Sequence, residues 1–157
     1  MSAFGAKVLT VSDGVHHGAR EDLSGPALAA ALSSFGVEVV EVRVCSDGAS
    51  VVAAALREMS TGFAGVVVTT GGTGFAPRDE TPEGTRQVID REAPGLAEAM
   101  RAVSPLGRLS RGIAGIIGGC VVINTPGSPK GCVEQLNAVI DVLPHAVALL
   151  NQTPTDH

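Results

Sequence analysis

The feature that most constrains this chain is the run Gly65-Val66-Val67-Val68, followed at once by Thr69-Thr70-Gly71-Gly72-Thr73-Gly74. A short β-branched run without polar alternation reads as a strand buried on both faces, so helices must cover it above and below. Beyond the glycines, Arg78-Asp79-Glu80-Thr81-Pro82-Glu83 offers Thr81 as a helix cap, Pro82 as a first helical residue and Glu83 as an acid in the first turn. The order is strand, glycine-rich loop, polar loop, helix. In an open parallel sheet that junction lies at the carboxyl ends of the strands, where ligands bind. Glycines let the backbone turn its N–H groups toward anionic oxygens, and Thr69, Thr70 and Thr73 add hydroxyls. Asp79 would repel a phosphate held by such a loop unless a divalent cation such as Mg²⁺ lay between them. Taken alone, the glycines also read as a tight turn and Arg78–Asp79 as a surface ion pair. The string is neither a Walker loop, which needs Gly-Lys-Ser/Thr, nor the dinucleotide fingerprint.

The flanking segments repeat the strand–turn–helix rhythm of an α/β domain. Ala6–Val11 reads as a first strand ending in Ser12-Asp13-Gly14, with a loop from Val15 to Leu23 beside it. His16 and His17 fall on no periodic face and read as solvated loop residues. Ser24-Gly25-Pro26 opens a helix with Leu28, Leu32 and Phe35 on its apolar face, and Gly36 ends it. Val37–Val44 alternates imperfectly, as a strand near a sheet edge does. Asp47 then caps the helix carrying Val52, Leu56 and Met59, or points into the same cleft as Asp79; both readings stand.

Downstream, the helix opened by Thr81-Pro82 is expected to run to about Glu92, where Ala93-Pro94 breaks it. A second helix carries Leu96, Met100 and Val103, and Leu109-Ser110-Arg111 reads as a polar surface loop. Gly112–Asn124 reads as two strands around Gly118-Gly119, which puts one antiparallel strand into a mostly parallel mixed sheet. After Thr125-Pro126-Gly127, Ser128 is a good cap and Pro129 a good first residue for a helix running to Leu150, kinked by Pro144 near Ile140. That helix start, with Lys130, is a second anion site; Lys130 also reads as an ordinary exposed lysine. Asn151–His157 reads as a frayed tail.

Composition narrows the function. At 157 residues and 45% apolar, the chain fits a single domain, 1–157, with a real core. A net charge of −5 and only four aromatics, all Phe, argue against a nucleic-acid partner. Cys45, Cys120 and Cys132 are odd in number and unpaired in spacing, which excludes a disulfide framework or zinc motif. Neither a leader nor a membrane-length apolar run stands out, so a soluble, cytoplasmic protein is expected.

The full string from Thr69 to Glu83 resembles the glycine-rich signature of the MogA/MoaB-type molybdopterin adenylyltransferases of molybdenum-cofactor biosynthesis. Ser12-Asp13-Gly14, Asp22–Pro26, Pro94-Gly95, Leu109-Ser110-Arg111 and Asn124–Lys130 look like further blocks of that family, in family order. The resemblance implies a three-layer α/β/α sandwich, usually trimeric. It also implies that molybdopterin and ATP are substrates, with Mg²⁺, giving adenylylated molybdopterin and pyrophosphate. It assigns the family's carboxylates to Asp47 and Asp79, which it also implies as Mg²⁺ ligands. Substrate binding falls to Ser12, Asp13, Thr70, Gly71, Gly72, Thr73, Gly74, Pro126, Gly127, Ser128, Pro129 and Lys130. A molybdate insertase is an expected partner. Glu80 departs from the family, where an apolar residue is common. The competing expectation is a molybdopterin carrier or scaffold without catalysis, against which retention of both aspartates argues. A nucleotide hydrolase of the competence-damage type is a further alternative.

Overall fold

The computed structural model describes residues 4–155. Six strands form one sheet: β1 Gly5–Val11, β2 Glu38–Cys45, β3 Gly65–Thr70, β4 Arg91–Glu92, β5 Ala114–Ile117 and β6 Cys120–Thr125, in the order β2-β1-β3-β6-β5-β4. β2, β1, β3 and β6 are parallel neighbours, and β5 pairs antiparallel with both β6 and β4. One strand, β5, is therefore reversed. It is joined to β6 by the Gly118-Gly119 turn, where Gly118 has a φ of +57° that a side chain would resist. The edge position expected for the second strand holds for β2.

The buried run at Gly65 becomes the central strand, and every residue of β3 is buried. Side chains alternate across the pleat. Val66 and Val68 face one layer with Leu28 and Leu32 of α2 (Ser24–Ser34), Met100 of α5 (Pro94–Arg101), Leu136 of α6 (Pro129–Asn137) and Leu143 of α7 (Leu143–Leu150). Val67 faces the other, with Val52, Leu56 and Met59 of α3 (Ala49–Ser60). The result is an α/β/α sandwich. Each fully buried Leu in these layers contributes about 1.5–3 kcal/mol over an exposed one. A single-turn α1 (Asp13–His16) opens the loop after β1, and Ser12 Oγ accepts the Val15 N–H as its cap.

Two helices are shorter than their sequences suggest. α4 covers only Thr81–Arg86 and does not reach Glu92. Val88 and Ile89 are poor helix formers, and the chain instead pairs Arg91 and Glu92 with β5, satisfying an otherwise open edge. Likewise the run from Pro129 to Leu150 is broken, not kinked: α6 ends at Asn137 and α7 begins at Leu143. Pro144 lies in the first turn of α7, where its missing N–H costs nothing. At the tail, Thr153 N still donates to Ala148 O, while Asp156 and His157 of the expected frayed segment lie outside the described residues.

Candidate functional site

The register of the parallel strands collects polar residues at one edge. Thr10, Thr70 and Thr125 stand side by side across β1, β3 and β6, one residue beyond the Leu9, Thr69 and Asn124 row. Asn124 Nδ2 donates to Thr69 Oγ1 and Thr85 Oγ1, both at 3.0 Å, and its Oδ1 accepts the Ile113 N–H. Thr70 Oγ1 donates to Pro126 O at 2.8 Å, tying the glycine-rich loop to the loop that precedes α6. This buried network fixes the loops that leave the strands.

Gly71 and Gly72 follow with φ of +98° and +71°. Both positions also lack room. A Cβ on Gly71 would run into the Val11 carbonyl oxygen, and one on Gly72 into Thr81 Oγ1. Thr81 does not cap its helix: Glu80 holds the cap position without a side-chain bond. Thr81 Oγ1 instead donates to Gly71 O at 2.9 Å and locks the loop from below. Asp47 does not cap α3 either, since Gly48 takes that place at a φ of +122°. The Asp47 carboxylate accepts the Asp13 N–H at 3.0 Å, and Asp13 Oδ1 accepts the Asp47 N–H at 3.1 Å. Arg78 does not pair with Asp79. Its Nε donates to Asp13 Oδ2 at 2.6 Å, across the two loops.

Two cavities open along this edge. The larger, about 560 Å³, is walled by Gly72–Gly74, Asp79, Pro126–Ser128, Lys130 and the apolar Leu106 and Leu109. The smaller, about 340 Å³, lies between Ser12, Arg20–Ser24, Asp47, Thr70–Gly72 and Pro129. Gly72, Asp79 and Gly127 line both, so the cavities meet at the glycine-rich loop. Every candidate residue except Asp13 borders one of them; Asp13 stands behind Asp47, engaged with Arg78. Lys130 is largely exposed, with Glu134 at 3.9 Å as its neighbour. The carboxylates feel one another. Burial pushes the Asp47 carboxyl above its ordinary range, and the charges of Asp13 and Asp79 add to this against the Asp13 N–H. The Arg78 hydrogen bonds hold Asp13 below it.

Arg111 is the residue that sequence reasoning missed. Its Nε donates to Gly74 O at 2.8 Å, its Nη2 to Asp79 O at 2.6 Å and its Nη1 to Glu83 at 2.7 Å. Its backbone N–H meets Thr73 O at 2.8 Å. One guanidinium fork thus bonds both sides of the loop that carries Asp79. By its residues alone Leu109-Ser110-Arg111 looks like any solvated loop, and its resemblance to a family block gave Arg111 no role.

Comparison with known proteins places this architecture. Residues 7–145 match the model of the family described as the probable molybdopterin binding domain. A molybdopterin adenylyltransferase from Helicobacter pylori is 39% identical over 150 residues, covering 91% of this chain and 85% of its own length. The molybdenum cofactor synthesis protein cinnamon from Drosophila melanogaster is 38% identical over 91% of the chain, which spans only 25% of that longer protein. The crystal structure of the molybdopterin biosynthesis enzyme MoaB from Thermus thermophilus superposes with a TM-score of 0.90 at 43% identity, covering 98% of this chain and 99% of that one. With the family match running from β1 into α7, this chain belongs to the molybdopterin-binding domain family of molybdenum cofactor biosynthesis.

Proposed function

We propose that this protein is a molybdopterin adenylyltransferase. The observation that carries the reading is the meeting of two cavities at Gly72, Asp79 and Gly127, since transfer between two bound substrates needs such a junction. In the proposed reaction an oxygen of the molybdopterin phosphate attacks the α-phosphorus of ATP. The bond from that phosphorus to the β-phosphate oxygen breaks, pyrophosphate leaves, and adenylylated molybdopterin remains. Attack of one phosphate on another calls for no protein nucleophile, so positioning and charge neutralisation carry the rate. The Gly71 N–H is taken by Thr125 O, but the N–H groups of Gly72–Gly74 and the Ser128-capped start of α6 with Lys130 are suited to the phosphate oxygens.

The donor set fits Mg²⁺. Asp47 and Asp79 border the smaller cavity together, and among the described residues no group of three acidic, His or Cys side chains converges to hold a metal alone. Mg²⁺ binds through one or two carboxylates plus substrate phosphates, which is what this edge offers. Asp47 and Asp79 would hold it, and it would neutralise charge on the ATP phosphates. A homotrimeric, cytoplasmic enzyme that passes its product to a molybdate insertase extends the same reading. The match to 47% of a molybdenum cofactor biosynthesis bifunctional protein from Synechococcus elongatus supports a role beside a second activity.

Pyrophosphate release from Mg·ATP, measured with and without molybdopterin, tests this. Release that depends on molybdopterin is expected. Molybdopterin binding without release would make the protein a carrier, and release without molybdopterin a hydrolase.

A further inference from the structure

A third cavity, of about 340 Å³, opens against the short edge of the sheet and adjoins the larger of the two described above at Ser110. Its walls are Arg86 of α4, Glu92 of β4, Pro94, Ala97 and Arg101 of α5, and the segment Ser110–Ala114 leading into β5, which includes Arg111. Three guanidinium groups thus face one lining carboxylate, in a chain whose net charge is −5. Among the described residues, pairing with carboxylates leaves one of the three arginines unmatched. Arg86 gives one N–H to Glu92 at 2.7 Å, and Arg111 is held by Glu83 from outside the cavity. Arg101 gives one N–H to the Gly112 carbonyl at 2.7 Å and has no carboxylate partner among the described residues.

A guanidinium carries five N–H donors and no acceptor. Arg86 and Arg101 each spend one of these, so the cavity is rich in donors and poor in acceptors. Partial burial makes Arg101 costly to leave unpaired, because a desolvated charge is stabilised chiefly by an opposite one. The complement of a donor-rich, net-cationic hollow is a group with several anionic oxygens in a compact array. A phosphate supplies this: its oxygens accept the parallel N–H pairs of an arginine fork and the Ser110 hydroxyl together.

We propose that this cavity is a second anion site, for a phosphate group, with Arg101 and Arg86 as its principal ligands. It is separate from the glycine-rich loop and does not depend on what reaction occurs there. Ser110 borders both this cavity and the larger one, and Arg111 faces this cavity while bracing the loop that carries Asp79.

The test is calorimetric titration of inorganic phosphate into the wild type and into Arg101→Gln, Arg86→Gln and Lys130→Ala. The Arg86 side chain is 60% exposed, so its variant keeps the test open should Arg101→Gln fold poorly. The expected result is phosphate binding that weakens at least ~10-fold in the Arg101 and Arg86 variants and persists in Lys130→Ala, in line with loss of charge-assisted hydrogen bonds. Equal binding in all four proteins overturns the proposal. So does binding lost only in Lys130→Ala, which would place the phosphate at α6, and so does absence of binding in the wild type.

Discussion

The Arg111 guanidinium donates to the Asp79 carbonyl oxygen at 2.6 Å, although 32 residues separate the two. The same side chain bonds Gly74 O, so Asp79 is held at a fixed offset from the glycine-rich loop by one planar group. Arg111 lines neither of the two cavities that meet at the glycine-rich loop and works as a positioning residue through the Asp79 backbone. Arg111→Ala is expected to lower kcat for pyrophosphate release by ~10–100-fold, as loss of alignment does, with a smaller effect on KM for ATP. Arg111→Lys keeps the charge but cannot reproduce the fork, so it should recover little. Full recovery by lysine would show that only charge matters at this position.

Asp79→Asn removes a charge while leaving an oxygen for the Ala76 N–H, which Asp79 Oδ2 accepts at 3.1 Å. Folding should be preserved. Molybdopterin-dependent release should fall by at least ~10²-fold, about 2.7 kcal/mol of barrier. Equilibrium binding of molybdopterin should change little. Turnover near that of the wild type would take Asp79 out of the reaction.

Asp47 and Asp13 respond to pH in opposite directions. A carboxyl raised above its ordinary 3.8 binds a proton more readily folded than unfolded, so its ionisation opposes folding as pH rises through the raised value. Asp13, held low by Arg78, contributes stability above 3.8 that is lost as pH falls through its folded value. Asp47→Asn keeps an acceptor for the Asp13 N–H and removes the half-buried charge. Denaturation curves should show this variant more stable than wild type at neutral pH, with the gap closing as acid protonates Asp47. Its turnover should fall over the same range, as expected where function is kept at a cost in stability.

The buried Asn124 gives a purely structural prediction. Asn124→Leu would strand the Ile113 N–H and loosen Thr69 and Thr85 from their shared partner. Leaving these groups unpaired in the interior should cost about 2–4 kcal/mol. Urea denaturation would measure it, and an unchanged midpoint would mean the network repacks around the new side chain.

The parts of the fold that were readable are those written in local chemistry. Val66–Val68 announced a doubly covered strand, Gly118-Gly119 a hairpin, and Ser128-Pro129 a helix start, because each depends on neighbours in sequence. Thr81 misled as a cap, and Asp47 left a cap and a place in the cleft equally open, for the converse reason: each has a better partner far along the chain, Gly71 O for one and the Asp13 N–H for the other, and Asp47 lines the smaller cavity with Asp79. α4 ended early because β5 needed an edge partner, a demand arising 28 residues downstream, from Arg86 to Ala114, and absent from the helix's own sequence. Arg111 was invisible on the same principle, its three acceptors lying 28 to 37 residues away.

Reversing β5 decides which loops the ligand edge receives. In a sheet of purely parallel strands only the segments that leave strands reach that edge, and those that enter strands lie at the opposite one. Because β5 runs the other way, its entering segment arrives where its neighbours' segments depart, with Ile113 bonded to Asn124 near the end of β6. That is how Leu106, Leu109 and Arg111 come to stand among residues delivered by the parallel strands. The stretch from Ser104 to Arg108, ahead of the anchoring Arg111, is thereby a wall that can change in length or sequence while the four parallel strands stay as they are. It is the natural place for relatives of this fold to diverge in what they admit.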